Sequence, residues 1–64
     1  MIYKWINNGQ KSDTHTNNPD YISRLDVYIA EQGITQDADG RYIIDDEIRE
    51  AILNGANEVT DVVL

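Results

Sequence analysis

Apolar and polar positions alternate at the N-terminal end of the chain. Ile2, Lys4 and Ile6 fall on one side of an extended segment and Met1, Tyr3 and Trp5 on the other, so Met1–Asn7 predicts a strand. Both faces carry apolar groups, which suits a place inside a sheet or against a partner. Asn7 to Asn18 is dominated by Asn, Gly, Gln, Ser, Asp and Thr and reads as a long polar loop. Asn18-Pro19-Asp20 then supplies three helix-start signals: a capping side chain, a proline suited to the first helical position, and an acid that complements the helix dipole. Behind it Tyr21, Ile22, Leu25, Tyr28 and Ile29 recur at helical spacing, and Gly33 ends the pattern.

The second half predicts shorter elements. Ile34–Tyr42 reads as a hairpin around Asp37-Ala38-Asp39-Gly40, a type I turn followed by a glycine at positive φ. Its second strand is Arg41–Ile44, with Tyr42 and Ile44 on one face. Asp45 or Asp46 caps a second helix whose buried stripe is Ile48, Ala51, Ile52 and Leu53, and Asn54-Gly55 stops it. In the tail Glu58–Leu64, Val59, Val62 and Val63 favour a strand by β-branching. They also fit helical spacing behind a cap at Asn57, and the strand is the reading adopted. The resulting order is β-α-β-β-α-β. The expected class is α+β, one domain over residues 1–64, with two helices packed on a short, mainly antiparallel sheet. A split βαβ sheet and a looser α+β arrangement both satisfy this order.

Composition narrows the means of stabilisation. A chain of 64 residues buries only about 60% of its unfolded surface. It has no cysteine for a disulfide, and His15 is the sole imidazole, which leaves no structural zinc site. No apolar run approaches the ~20 residues of a membrane span. The start has no secretory pattern, and no Lys/Arg cluster exists to hold an anionic membrane. The Met1 start suggests a complete small reading frame, and the expected location is the cytoplasm.

Charge changes the picture most. The formal net charge is −7. Residues 33–64 hold Asp37, Asp39, Asp45, Asp46, Glu47, Glu50, Glu58 and Asp61 against Arg41 and Arg49 alone, whereas residues 1–32 are nearly balanced. Such a field repels nucleic acid and attracts basic surfaces. Asp45, Asp46, Glu47 and Glu50 can therefore stand in for nucleic-acid phosphates, beside their plainer role of answering a helix dipole. Tyr3, Trp5 and Tyr42 are candidate anchors of an interface. Tyr3 and Trp5 fit a small core better, because a sole tryptophan usually sits at its centre. The run Ser12-Asp13-Thr14-His15-Thr16 holds a hydroxyl, a carboxylate and an imidazole, but adjacent residues of a loop rarely form a nucleophile–base pair.

Thr35 to Asp46 places glycine sixth, with Asp37, Asp39 and Asp46 at positions three, five and twelve. Over this stretch alone it resembles a calcium loop of the EF-hand or dockerin type, and the resemblance implies carboxylate ligation of Ca2+. It departs from that pattern at position one, which is Thr35, at position twelve, which is not glutamate, and at Gly33, which breaks the entering helix. The sequence thus leads to a small acidic regulator or inhibitor, of a phage or mobile-element style. It would dock on a basic surface of a partner, a nucleic-acid-binding protein included, through Asp37, Asp39, Asp45, Asp46, Glu47, Glu50, Tyr3, Trp5 and Tyr42. It would need no catalytic residue, cofactor, membrane or direct contact with nucleic acid. The alternatives are a homo-oligomer or assembly subunit that buries Ile2, Ile6, Val59, Val62 and Val63 against a copy, and a calcium-binding module.

Overall fold

The computed structural model describes residues 1–54 and 59–64. Its elements are β1 (Ile2–Asn7), β2 (Gln10–His15), α1 (Pro19–Gln32), β3 (Tyr42–Ile44), α2 (Asp46–Leu53) and β4 (Thr60–Val63). Two helices pack on a four-stranded sheet of order β3-β1-β2-β4, so the α+β class is as expected. The ladders β1/β2 and β2/β4 are antiparallel and β1/β3 is parallel.

The element order differs from the expected one in two places. Residues 10–15 form a strand where a loop was read, and the hairpin before β3 shrinks to a single bridge, Gln36 to Tyr42. The first difference originates at Asn8-Gly9. Both residues take positive φ, 49° and 86°, which is the backbone of a two-residue type I′ turn and matches the twist of the strands it joins. β2 escapes a hydrophobicity pattern because its inward residues are hydroxylic. Ser12 and Thr14, and Thr16 just beyond the strand, are buried, while Lys11 and His15 are exposed.

The other elements follow their local chemistry. The Asn18 carboxamide accepts from the backbone N–H of Asp20 and Tyr21, Pro19 opens α1, and Gly33 closes it at φ 64°. The Asp45 carboxylate accepts from Ile48 N–H and so caps α2. Ile52 is the buried residue of α2, with Ile48 and Leu53 half-buried, whereas Ala51 is exposed, contrary to the expected stripe. Ala51 lies on the solvent side of the turn that Ile48 and Ile52 bury. The tail is strand over Thr60–Val63, as preferred; the expected stop at Gly55, the alternative cap at Asn57 and the start at Glu58 fall outside the described residues.

The core is Tyr3, Trp5, Tyr21, Leu25, Ile44 and Ile52. Tyr3 and Trp5, two positions apart on β1, stack with centroids 5.6 Å apart and rings 8° from parallel. Tyr42, opposite Trp5 in the β1/β3 ladder, tilts against the indole. Beside these rings runs a polar relay. Trp5 Nε1 donates to Thr14 Oγ1 (2.8 Å), and Thr14 Oγ1 donates to Asp61 Oδ1 (2.8 Å). Arg49 of α2 pairs with the other Asp61 oxygen and donates to the Ser12 hydroxyl. The outer face of the sheet carries Ile2, Lys4, Ile6, Lys11, Asp13, His15, Ile43 and Val62, with Ile2, Ile43 and Val62 well exposed.

Two measurements test this packing. Asp61→Ala leaves Arg49 and Thr14 with unmatched donors, and about 2 kcal/mol of stability is expected to disappear in urea unfolding, a value discounted because the pair is partly solvated. An unchanged midpoint would show that the relay does not support the fold. The Tyr3 hydroxyl donates to Asp26 Oδ1 (2.9 Å), and burial followed by that bond pushes its pKa well above the usual tyrosine value; burial likewise raises Tyr21. In the unfolded chain tyrosine ionises near pH ~10. The native state therefore keeps protons that the unfolded state releases, and stability is complete below about pH 10 and falls as pH rises past it. Tyrosinate absorbance should appear together with loss of circular dichroism, and Tyr3→Phe should flatten the decline.

Candidate functional acidic edge

β3 is an edge strand, and carboxylates gather at both of its ends. Before it, the turn Asp37–Gly40 is held by the Asp37 carboxylate, which accepts from Asp39 N–H (3.0 Å) and Arg41 N–H (2.9 Å). Gly40 takes φ 80°, a conformation that side chains resist, and donates to Asp37 O. Asp39 projects into solvent. After it come Asp45, Asp46 and Glu47, then Glu50 one turn along α2; all four are exposed. Asn7 Nδ2 donates to Asp46 Oδ1 (2.8 Å) and ties the start of α2 to the first hairpin.

The cations of the second half face elsewhere. Arg41 crosses the outer face of the sheet, donates to the carbonyls of Trp5 and Ser12, and pairs with Asp13 at 2.9 Å. Arg49 turns inward to Asp61. Both arginines thus neutralise carboxylates away from the β3 edge. Asp37, Asp39, Asp45, Asp46, Glu47 and Glu50 keep no ion pair among the described residues. The helix dipole accounts for Asp46 and Glu47 in the first turn. It does not account for Glu50, which stands three and four residues from Glu47 and Asp46, the spacing at which like charges repel by about 0.2–0.5 kcal/mol.

The aromatic candidates divide. Tyr3 and Trp5 are 3% and 1% exposed, so they are core residues and not surface anchors: the strand pleat turns them under the helices, with Lys4 between them facing out. Tyr42 is half-buried beside the acidic edge. The exposed apolar residue of β3 is Ile43, 51% exposed, which sequence reasoning did not select. The signal for it was available, since Tyr42 and Ile44 share the inward face and Ile43 must take the other.

Two chemical readings meet geometric obstacles. Ser12, Thr14 and Thr16 are buried on the inner side, whereas Asp13 and His15 alternate to the outer face, so the hydroxyls and the imidazole of this run lie on opposite sides of the sheet. In the calcium-like stretch, positions eight to ten are taken up by the strand β3, and the Asp37 carboxylate oxygen Oδ1 is occupied by two backbone N–H groups. Among the described residues no group of three or more His, Asp or Glu is placed to hold a metal ion, and no helix is long and apolar enough to cross a membrane. Millimolar Ca2+ is expected to leave the melting temperature unchanged. Asp37→Ala, which removes the turn's acceptor, is expected to lower it by about 4–8 °C, the equivalent of ~1 kcal/mol in so small a domain. A calcium-dependent rise abolished by Asp37→Ala would reverse that reading.

Comparison with known protein families, with curated proteins and with solved structures returns no match for this chain.

Proposed function

We propose that the protein is a cytoplasmic binding regulator, of the small inhibitor type found in phage and mobile elements, that docks its β3 edge on a basic surface of a partner protein. The contact set is Asp37, Asp39, Asp45, Asp46, Glu47 and Glu50, with Tyr42 and Ile43 supplying apolar contact between the two groups of acids. The supporting observation is the engagement of Arg41 with Asp13 on the outer face and of Arg49 with Asp61 on the inner face, which leaves that edge without a countercharge among the described residues. Carboxylates fixed at both ends of a short rigid strand present an anionic row that a nucleic-acid-binding groove would accept in place of phosphates. Fixed charge of this kind speeds encounter and sets register.

The test is capture from a lysate at low and moderate salt, with Asp45→Asn, Asp46→Asn, Glu47→Gln and Glu50→Gln combined as the control. Asparagine also caps helices, so the fold survives the first change. The expected result is a basic partner whose affinity drops about tenfold or more in the neutralised protein, weakens between about 0.05 and 0.2 M salt, and is displaced by duplex nucleic acid. Capture that ignores both salt and neutralisation would overturn the proposal.

A further inference from the structure

Between the two groups of acids the outer face of the sheet is hollowed, and strand alternation builds the hollow. Ile6 and Ile43 are opposite each other in the β1/β3 ladder and both project from the outer face. On the other side of β3, Ile43 N–H donates to Thr35 O (2.8 Å) and Asp37 N–H donates to Arg41 O (2.9 Å). Residues 35–37 therefore run antiparallel beside the strand, with Gln36 opposite Tyr42. Gln36 takes the side of Tyr42, and Asp37 takes the outer side with Ile43. The Asn8-Gly9 turn and Ile44 complete a cleft of about 300 Å3.

Three features select its occupant. The volume lies at the floor of the range for small-molecule pockets, so it takes one side chain and not a metabolite. Its walls are the apolar Ile6, Ile43 and Ile44, with the Asp37 carboxylate at one end. That carboxylate is fixed, because Oδ1 accepts from Asp39 N–H and Arg41 N–H, while Oδ2 has no hydrogen-bond or ion-pair partner among the described residues. An apolar stem that ends in a cation satisfies wall and carboxylate together. A guanidinium binds a carboxylate best through both oxygens, and one is already taken. An ammonium is a point charge and needs one. An added strand is not an alternative here, since residues 35–37 already occupy the Ile43 N–H and the Arg41 carbonyl.

Resting on the docking reading above, the geometry points to one lysine side chain of the partner protein as the occupant, with its methylenes on Ile6 and Ile43 and its ammonium on Asp37 Oδ2. The neighbouring cations set its direction. Arg41 is drawn towards β2 by Asp13 and by the carbonyls of Trp5 and Ser12. Lys11, opposite Ile6, borders the β2 side and repels a cation placed there, which confines the ammonium to the Asp37 end. The cleft thus adds to the acidic edge what a row of exposed carboxylates lacks, a place for one residue in one orientation.

The probe is Nα-acetyl-lysine amide, with the norleucine and arginine compounds as controls. Amide chemical shifts of the whole chain are followed at about 0.15 M salt, where general attraction to the acids is screened. The lysine compound is expected to shift Gly9, Asp37 and Ile43 saturably in the millimolar range, about threefold or more tighter than the arginine compound, and the norleucine compound to shift none of them. Ile43→Ser keeps every acid, and Asp37→Asn keeps the acceptor of the turn. Each is expected to weaken the lysine compound about fivefold or more. Should a variant fail to fold, the three compounds on the unmodified chain still decide the matter. In the lysate capture, Ile43→Ser is expected to weaken the basic partner about tenfold with its salt dependence retained. A salt-dependent partner indifferent to Ile43→Ser leaves the docking reading intact and overturns the lysine. A lysine compound that binds while no basic partner is captured overturns the docking reading alone. Equal binding of the norleucine or arginine compound, shifts confined to the exposed acids, or undiminished binding by folded Ile43→Ser and Asp37→Asn would each overturn the inference.

Discussion

The structure depends on one polar relay beneath α2. The Trp5 indole N–H, the Thr14 hydroxyl, the Asp61 carboxylate, the Arg49 guanidinium and the Ser12 hydroxyl form a continuous chain across β1, β2, β4 and α2. Every member satisfies the next, so Thr14 and Ser12 can be almost wholly buried without an orphaned hydroxyl. A sheet this short has too few apolar residues to fill its inner face. The relay lets hydroxyl groups fill the remainder, and it specifies which strand lies beside which, because only β4 in its observed register brings Asp61 over Thr14.

The same relay shapes the electrostatics. Arg49 is drawn inward to Asp61, and on the other side of the sheet Arg41 is drawn to Asp13 and to the carbonyls of the Trp5/Ser12 pair. The central strands are thus bracketed by two guanidinium groups. The positive charge of the second half goes into the structure, and its negative charge is left on the β3 edge. Stability and surface potential are set by the same two arginines.

The sequence made some of this legible and hid the rest for physical reasons. α1 could be read to within a residue because Asn18, Pro19 and Gly33 act locally, through backbone geometry that needs no tertiary partner. The cap of α2 was narrowed only to Asp45 or Asp46, and the tail strand rested on β-branching at positions that also fit helical spacing, so both were legible in part. β2 was not, since its buried face is Ser12 and Thr14 and a hydropathy pattern treats both as polar. The turn signal Asn8-Gly9 was the local clue, and it outweighs composition. At the candidate site, the lopsided acid was plain in the order of residues. That Arg41 and Arg49 would turn away from it was not, because Asp13 and Asp61 are brought to them only by the sheet. The role of Tyr3 and Trp5 hinged on which face of β1 the helices cover, and that too is decided by packing.

The strand order β3-β1-β2-β4 also has a consequence for how the chain assembles. The two inner strands come from the N-terminal hairpin, and the two rim strands are supplied much later, so Trp5 must wait for Tyr42 and Ser12 for Val63. The hairpin closes through a two-residue turn, but joining either rim strand encloses a long segment and forfeits chain entropy before any pairing is gained. Until the last strand arrives, Thr14 lacks its acceptor and Arg49 its counterion. The sheet therefore grows outward from an early seed, and its centre is chemically complete only when its perimeter is.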